Sequence, residues 1–485
     1  MNVARRLTAN MAFAVGGRVI SALIGLAITG LVTRHLGAEL FGIYRTASAW
    51  AVLGCTLANL GLSVVCLREI SRPGADITRI IGTALTLRFI TAALSIVVLT
   101  VVFMQVPLAH MGDPLRLAHA VTIAGIGTMA TLGNELVVTI FQSALAQRRA
   151  TIAELSGGAV TLVLTLVVIY MGGSLLGLMG AATGGLIMTL LISVVLAESI
   201  APVRPRLDIA LAGSLLVLGI PLFMSDIVGM VTLRLDTVAL SLFSTPTEVG
   251  YYGVANKLRE VAVKLPYMFA AFLMPLLVRS MGDLREFNLR LSNSLVAVWV
   301  FAVSVMLAMG CFGDVILHLL AGRGFAESTS VVQITGIALA AGSLSAVLQM
   351  GVLARDRAGQ VLNAHIISAV VAIAGYYLLI PRWGAAGTAW AVAAGESAFM
   401  LRLLWIASPD GISALPWRKL LGVGLVGGFS AALLLGLRAR GVGLAWALSA
   451  AVVLYPLLLL GAGVASRQQL MSLVGRSGPK DPNVS

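Results

Sequence analysis

Charged side chains stand inside long apolar stretches of this sequence, and their types point to recognition of an anion. Arg18 lies about a third of the way along the first apolar stretch, with Ser21 and Thr29 on the same helical face. Arginine at the centre of a bilayer costs roughly 2.5–3.5 kcal/mol on insertion scales, so it must pair, line water or bind a ligand. We therefore expect this face to border a polar cavity. The alternative is an arginine that snorkels to the membrane interface.

The sequence contains two copies of one membrane unit, aligned at an offset of 208 positions. Gly42 falls on Gly250, and the stretch 145–150 (LAQRRA) falls on 353–358 (LARDRA). A duplication that continues through apolar segments is typical of transporters, whose substrate site lies between the repeats.

Asp226 occupies, in the second copy, the position that Arg18 occupies in the first. Equivalent positions in parallel repeats lie at the same depth on opposite sides of the central axis. We expect Arg18 and Asp226 to face each other across the cavity and to pair when no anionic substrate is bound. The alternative is that Asp226 bonds to polar groups of its own half.

Other charged groups within the spans are predicted to pair locally. Arg88 and Glu135 lie at equal depth on adjacent antiparallel spans, which favours a structural ion pair; a proton-carrying Glu135 is the alternative. Glu396 and Arg402 share the twelfth span and are placed to form a local pair. Asp226, Glu135 and Glu396 are the candidate groups for coupling transport to an ion gradient.

The eighth span begins with a basic cluster of Lys257, Arg259 and Lys264. Glu260 is spaced to pair with Lys264 at i,i+4, so one reading is an ordinary solvated helix face. Three cations against one anion nevertheless leave a positive excess at the predicted outward entrance. Arg45, on the corresponding span of the first copy, adds to this excess.

The elements that must position these residues are transmembrane helices. Hydrophobic residues make up 59% of the chain and charged residues 11%, with a mean hydropathy of +0.99, whereas a soluble domain has about 25% charged residues. The apolar stretches are roughly 20–25 residues long, the length of a membrane-spanning helix. We predict an all-α polytopic membrane protein of about 14 transmembrane helices. They begin near residues 11, 43, 80, 117, 154, 176, 211, 251, 289, 331, 361, 385, 420 and 443.

The distribution of arginine and lysine predicts the topology. Basic residues concentrate at the N-terminus, in the even-numbered loops and in the tail, so both termini are predicted to be cytoplasmic. Six spans per copy make the copies parallel. The predicted divisions are a lobe at 1–210, a lobe at 211–410, two further helices at 411–466 and a disordered tail at 467–485. The net charge of +13 then reflects topology and contact with anionic lipids, without nucleic acid.

The sequence gives no sign of catalytic chemistry. It has no GxxxxGK[ST] phosphate loop, no HExxH, no Asp-x-Asp pair and no cysteine–histidine cluster at metal-ligand spacing. Its three cysteines, Cys55, Cys66 and Cys311, have no paired spacing and are predicted to be small core residues. We therefore predict a protein that is not an enzyme and that uses no metal, cofactor or nucleotide.

Three stretches carry a family resemblance: 33–44 (TRHLGAELFGIY), 246–252 (PTEVGYY) and 383–389 (WGAAGTA). They resemble bacterial polysaccharide and O-antigen flippases of the multidrug/oligosaccharidyl-lipid/polysaccharide exporter superfamily, over essentially the whole chain. The resemblance implies two six-helix lobes around a central cavity plus two C-terminal helices. It also implies alternating access that flips undecaprenyl-pyrophosphate-linked oligosaccharide to the periplasmic leaflet of the bacterial inner membrane, with a polysaccharide polymerase as candidate partner.

In the related peptidoglycan-precursor flippases, cavity arginines lie on spans one, two and eight. The resemblance transfers these roles to Arg18, Arg45 and Arg259, of which Arg18 is the best match. Alternatives from the same superfamily are a multidrug/cation antiporter, which favours a carboxylate-rich cavity and about twelve spans, and the peptidoglycan-precursor flippase itself. A membrane-embedded glycosyltransferase or polymerase would need a long outward loop with catalytic groups, which the sequence lacks.

Overall fold

The computed structural model describes the backbone of residues 3–57, 59–105, 111–407, 415–440 and 455, and the side chains from Gly16 onward within these ranges except at 57 and 221–234. In these ranges the regular structure consists of helices, which confirms the predicted all-α class. The helices are α1 (Val3–Leu57), α2 (Leu62–Ile70), α3 (Ile77–Gln105), α4 (Pro114–Ser143), α5 (Gln147–Tyr170), α6 (Leu175–Ala197), α7 (Ile209–Phe243), α8 (Pro246–Arg279), α9 (Leu284–Leu320), α10 (Ser328–Ala354), α11 (Ala358–Ala407) and α12 (Trp417–Ala439), with a short 3-10 helix at Arg323–Phe325.

Ten of the described helices are long and apolar enough to cross a membrane. Two of them carry apolar segments of 41 and 50 residues, in α1 and α11, and each is long enough to cross twice because about 20 residues span the hydrocarbon core. The predicted fourteenth span, near residue 443, lies outside the described residues. The chain is thus a multi-pass membrane protein.

The sequence repeat is visible in where the helices break. α1 is interrupted at Gly37, and the matching place in the second copy is the joint between Phe243 and Pro246. Likewise, the turn between α5 and α6 in the first copy corresponds to a break inside α11 at Gly384 in the second. Both glycines have positive φ, 72° and 50°, a conformation that is unfavourable for residues with a Cβ. The breaks therefore recur at corresponding places in the two copies.

The chain divides into two compact units. The first contains Met1–Val254 with Leu317–Ser328 and Leu378–Thr388. In it α5 packs on α6, α6 on α4, and α3 on α4. Its largest buried cluster includes Leu85, Phe141 and Leu215, and so joins α3, α4 and α7.

The second unit contains Ala255–Ile316, Thr329–Tyr377 and Ala389–Ser485. One buried cluster joins α8 to α11, with Phe287 at its centre, fully buried. Another packs α12 on α9, through Val423 and Val303. The three cysteines are free and buried, as predicted. The predicted lobe boundaries at 210 and 410 remain a prediction, and the predicted tail at 467–485 lies outside the described residues.

Within the first unit, the two copies touch where α1 crosses the start of α8. A Cβ on Gly42 would lie 1.7 Å from the carbonyl oxygen of Pro246, and one on Gly250 would lie 2.1 Å from that of Ala38. Real Cβ atoms do not approach backbone so closely, so this crossing requires glycine on both helices. The carboxylate of Glu248, two positions before Gly250, accepts a hydrogen bond of 2.6 Å from the Ala385 backbone N–H.

Candidate functional site

Arg18 lies on α1, where it is exposed. It is 19 positions before the break at Gly37, or about 28 Å along the helix at 1.5 Å per residue. The hydrocarbon core is about 30 Å thick, so Arg18 lies near the edge of the core opposite to that break. None of the ion pairs of the described residues includes Arg18.

The rest of the predicted Arg18 face contacts other groups. The Ser21 hydroxyl donates a 2.8 Å hydrogen bond to Oε1 of Glu154 on α5. The Thr29 hydroxyl donates to the carbonyl oxygen of Gly25 in its own helix. The side chain of Asp226 lies outside the described residues, so the pairing of Arg18 with Asp226 stays a prediction.

Arg45 is half-buried on α1, eight positions after Gly37. Its side chain packs on Gly253 of α8: a Cβ there would lie 2.8 Å from Cγ of Arg45. The Nε atom is buried without a hydrogen-bond partner in the described part of the chain. Arg45 thus brings a cationic group to the place where α1 and α8 meet.

The basic cluster of α8 pairs differently from the expectation. The Glu260 carboxylate lies 3.6 Å from Nζ of Lys257, at i,i+3, rather than pairing with Lys264 at i,i+4. Lys264 is exposed and belongs to none of the ion pairs found in the described ranges. The two lysines lie about one helical turn from Glu260 on opposite sides, and the Glu260 carboxylate pairs with one of them.

Arg259 and Glu396 form a buried pair inside the second unit. Nη1 of Arg259 lies 3.8 Å from Oε1 of Glu396, and the side chains are only 9% and 13% exposed. Nε of Arg259 donates to the Asn256 amide oxygen at 3.0 Å. Arg259 is about 20 Å along α8 from Pro246, and Glu396 about 18 Å along α11 from Gly384, so both lie deep in the spans. The expected local partner of Glu396, Arg402, instead donates to Asn363.

Arg88 and Glu135 form the predicted ion pair in the first unit, but the two groups are not equally buried. Arg88 is 0% exposed and Glu135 is 48% exposed, with 3.9 Å between Nη1 and Oε2. Arg88 also donates to the Leu132 carbonyl at 2.6 Å, to the Ser63 hydroxyl at 3.1 Å and to the Asn59 amide oxygen. The guanidinium is thus held chiefly by neutral acceptors, which leaves the carboxylate of Glu135 facing outward.

Glu135 faces a cavity of about 300 Å³ enclosed by α1, α4 and α6. Each helix contributes a stripe at helical spacing, and most of the polar lining is hydroxyl. The polar lining residues are Tyr44, Ser48, Thr56, Asn59, Thr128, Thr131, Glu135 and Thr183. The pocket also has apolar walls, from Val52, Leu132, Met179 and Leu186 among others, and it is built entirely within the first unit.

Neither this cavity nor the buried acid Asp236 is among the sites predicted from the sequence. Tyr44, Ser48 and Thr56 recur at multiples of four, a signal that was present in the sequence. Asp236 is 4% exposed and accepts a 2.6 Å hydrogen bond from the Tyr252 hydroxyl. Only the packing of α7 on α8 shows that these two residues meet.

A family model described as polysaccharide biosynthesis protein matches residues 7–281, more than half of the chain. A comparison with curated protein sequences gives no match.

Solved structures with a similar fold are transporters of lipids and drugs. The Lipid II flippase MurJ, in an inward closed conformation, superposes with a TM-score of 0.76 at 14% identity, over 95% of this chain and 100% of the other. An inward-facing multidrug resistance MATE family transporter of the MOP superfamily has a TM-score of 0.60 at 16% identity, over 81% and 95%. A MATE transporter of Vibrio cholerae has a TM-score of 0.55 at 12% identity, over 84% and 97%. At these identities the likeness shows the fold.

Proposed function

Because this chain belongs to the polysaccharide biosynthesis protein family, we propose that it is a flippase for undecaprenyl-pyrophosphate-linked oligosaccharide. It moves this lipid from the cytoplasmic to the periplasmic leaflet of the bacterial inner membrane, with both termini in the cytoplasm. The family and the fold it shares with MurJ and MATE transporters support transport rather than bond chemistry. A polysaccharide polymerase that receives the flipped lipid is the proposed partner.

One observation supports an anionic substrate over a cationic one. Arg18, Arg45 and Lys264 stand in membrane spans, and no carboxylate of the described residues pairs with them. The cost of an unpaired cation is greatest deep in a span, where Arg45 lies about 12 Å along α1 from Gly37, and such a cation must line water or bind an anion. The pyrophosphate of a lipid-linked sugar supplies that anion, and it remains charged throughout transport.

Arg18 is suited to the first contact with the headgroup. Its guanidinium is a cation whose planar fork of donors matches two phosphate oxygens. It lies near the edge of the hydrocarbon core, the depth at which a phosphate headgroup rests before it crosses. Binding at Arg18 would draw the headgroup inward, and alternating access of the two lobes would then carry it across.

The antiporter alternative requires a carboxylate that is free to bind a cationic drug. Of the three span carboxylates considered for ion coupling, Glu396 lies 3.8 Å from Arg259 and Glu135 lies 3.9 Å from Arg88, while the side chain of Asp226 lies outside the described residues. The cation excess described above therefore favours an anionic substrate. A peptidoglycan-precursor flippase would bind its anionic lipid by the same chemistry. The two flippase proposals are distinguished by which lipid accumulates in a strain that lacks this protein.

The test is a strain that lacks this protein, examined for lipid-linked oligosaccharide on the cytoplasmic leaflet. We expect accumulation, full rescue by the native chain, no rescue by Arg18→Ala and partial rescue by Arg18→Lys, which keeps the charge but not the fork. Arg402→Ala is the matched control, since this span arginine already has Asn363 as a partner. Absence of accumulation, together with altered sensitivity to cationic drugs, would overturn the proposal in favour of the antiporter.

A second arm tests the predicted partner of Arg18. The exchange Arg18→Asp with Asp226→Arg keeps both charges and reverses their places. Recovery of transport above that of either single variant supports pairing between these positions. Equal failure of the single and double variants contradicts it.

A further inference from the structure

Five of the hydroxyl groups that line the cavity beside Glu135 donate their hydrogens to backbone carbonyls. Ser48 donates to the Tyr44 carbonyl at 2.8 Å, Thr56 to Val52 at 2.6 Å, and Thr128 to Ala124 at 2.9 Å. Thr131 donates to Gly127 at 3.1 Å, and Thr183 to the Ile123 carbonyl of the neighbouring helix at 2.9 Å. A hydroxyl has one hydrogen to donate and two lone pairs to accept with, so each of these groups presents acceptors to the cavity.

The polar lining is therefore rich in hydrogen-bond acceptors, among them the Glu135 carboxylate, while the Tyr44 hydroxyl and the Asn59 amide supply donors. This mixture fits a molecule whose hydroxyl or amide groups both donate and accept hydrogen bonds. A phosphate or another anion has only acceptors and is repelled by the Glu135 carboxylate. This chemistry is the opposite of that at Arg18, where the cation selects an anion.

The net charge of the cavity favours a neutral occupant over a cationic one. Arg88 is fully buried and lies 3.9 Å from the Glu135 carboxylate, so the two charges offset each other locally. A cavity with no net charge favours a neutral polyol over a metal ion or an ammonium group. Metal ions also require several oxygens converging at about 2.3–2.6 Å, whereas this space is open across three helices.

Size narrows the occupant further. A volume of about 300 Å³ equals about ten water molecules at ~30 Å³ each. It accommodates one pyranose ring with its hydroxyl or acetamido groups, but not an extended chain of several sugars. The 48% exposure of Glu135 shows that the pocket is open on that side, so a ring attached to a longer molecule has an entrance.

We propose that this cavity of the first unit is a subsite for one sugar ring of the transported lipid, with Thr128, Thr131 and Glu135 as its principal contacts. This inference rests on the proposed function. It assigns the anionic and the saccharide parts of the substrate to different places: pyrophosphate to the unpaired cations, and one sugar to the acceptor-lined cavity of the first copy.

The experiment compares two lipids on the full chain in lipid nanodiscs. One is undecaprenyl pyrophosphate without sugar, and the other is the sugar-bearing lipid extracted from the deletion strain. Thr128→Val with Thr131→Val removes two hydroxyls at nearly constant volume. We expect the double variant to bind the sugar-bearing lipid about tenfold more weakly, equivalent to about 1.4 kcal/mol, with the sugar-free lipid unchanged.

Two further variants guard against a folding defect. Thr139→Val is the matched control on the same helix, because its buried hydroxyl bonds to Leu136 and does not line the cavity. Ser48→Ala removes an acceptor from another wall of the cavity, on α1. We expect it to weaken binding of the sugar-bearing lipid and to leave binding of the sugar-free lipid unchanged. A selective loss in both cavity variants, absent from the control, supports the subsite.

The other outcomes are distinct. Equal weakening for both lipids, or no weakening for either, would overturn the subsite while leaving the flippase proposal in place. A sodium-dependent affinity for the sugar-free lipid that disappears in the double variant would assign the cavity to a cation instead. Failure of the native chain to bind either lipid would overturn the proposed function itself.

Discussion

Each copy of the repeat holds one arginine–glutamate pair inside the membrane, and the two pairs are built differently. In the first copy Arg88 is buried, Glu135 is half exposed, and the arginine bonds mainly to neutral oxygens. In the second copy Arg259 and Glu396 are both buried, at 9% and 13% exposure. The first pair is therefore an anchored arginine with an available acid, whereas in the second each charge depends on the other.

The charged residues of the two pairs do not occupy equivalent positions in the two copies. At the 208-position offset, uncharged residues stand opposite three of them: Val296 matches Arg88, and Ser343 matches Glu135, while Ala51 matches Arg259. The duplication thus preserved the helices and their breaks, and each copy carries charges of its own. This difference implies separate roles for the two halves, which the following substitutions test.

The largest effect is expected from Arg88→Leu. The change leaves the Leu132 carbonyl and the Asn59 and Ser63 side chains without their donor, at roughly 1–3 kcal/mol for each buried group left unsatisfied. The measurement is thermal unfolding and monodisperse yield in detergent. Arg402→Leu is the control, with little expected change. Equal behaviour of the two variants would contradict the anchoring role of Arg88.

The next effect concerns mutual dependence in the second copy. Glu396→Gln leaves the Arg259 charge buried without its acid, so we expect a clear fall in melting temperature. Adding Arg259→Gln to Glu396→Gln should restore part of the lost melting temperature. The measurement is a double-mutant cycle on melting temperature. Additive losses would show that the two side chains do not interact.

A smaller effect is expected from Glu135→Gln. The carboxylate is 48% exposed, and Arg88 keeps its neutral acceptors, so the loss should be about 1 kcal/mol or less, as for surface pairs. The same unfolding assay measures it beside Glu396→Gln. A larger loss for Glu135→Gln than for Glu396→Gln would reverse the comparison between the two copies.

The smallest effect is expected from Asp208, which precedes α7 outside the spans. The backbone N–H of Leu211 and the guanidinium of Arg79 hold the pKa of this carboxyl below its ordinary value of 3.8. Because the folded-state pKa is lowered, the stabilisation is fully present above about pH 4 and is lost as pH falls through the folded-state value. Asp208→Asn should flatten the acid dependence of the melting temperature slightly. An unchanged acid profile would contradict this assignment.

Much of the fold follows from the sequence because bilayer thickness sets helix length. The apolar stretches predicted the spans, and the 208-position repeat predicted two sets of six. The prediction separated span one from span two and span eleven from span twelve. The structure confirms both separations, because α1 is interrupted at Gly37 and α11 at Gly384, where one positive-φ glycine is enough to redirect a helix.

The site was less accessible to sequence reasoning, for a physical reason. Local spacing proposed Lys264 for Glu260 and Arg402 for Glu396, whereas the structure pairs these acids with Lys257 and Arg259. Glu396 and Arg259 lie on helices far apart in sequence, and helical periodicity carries no information about such contacts. The pairing of Arg88 with Glu135 was predicted correctly because adjacent antiparallel spans fix relative depth.

The crossing of Gly42 and Gly250 has a consequence for the spacing of the two helices. Their peptide groups are hydrogen-bonded within each helix, so the contact depends on van der Waals packing of one backbone on the other. A side chain at either position would push the helices apart. The pair of glycines therefore sets the distance between α1 and α8 at this point.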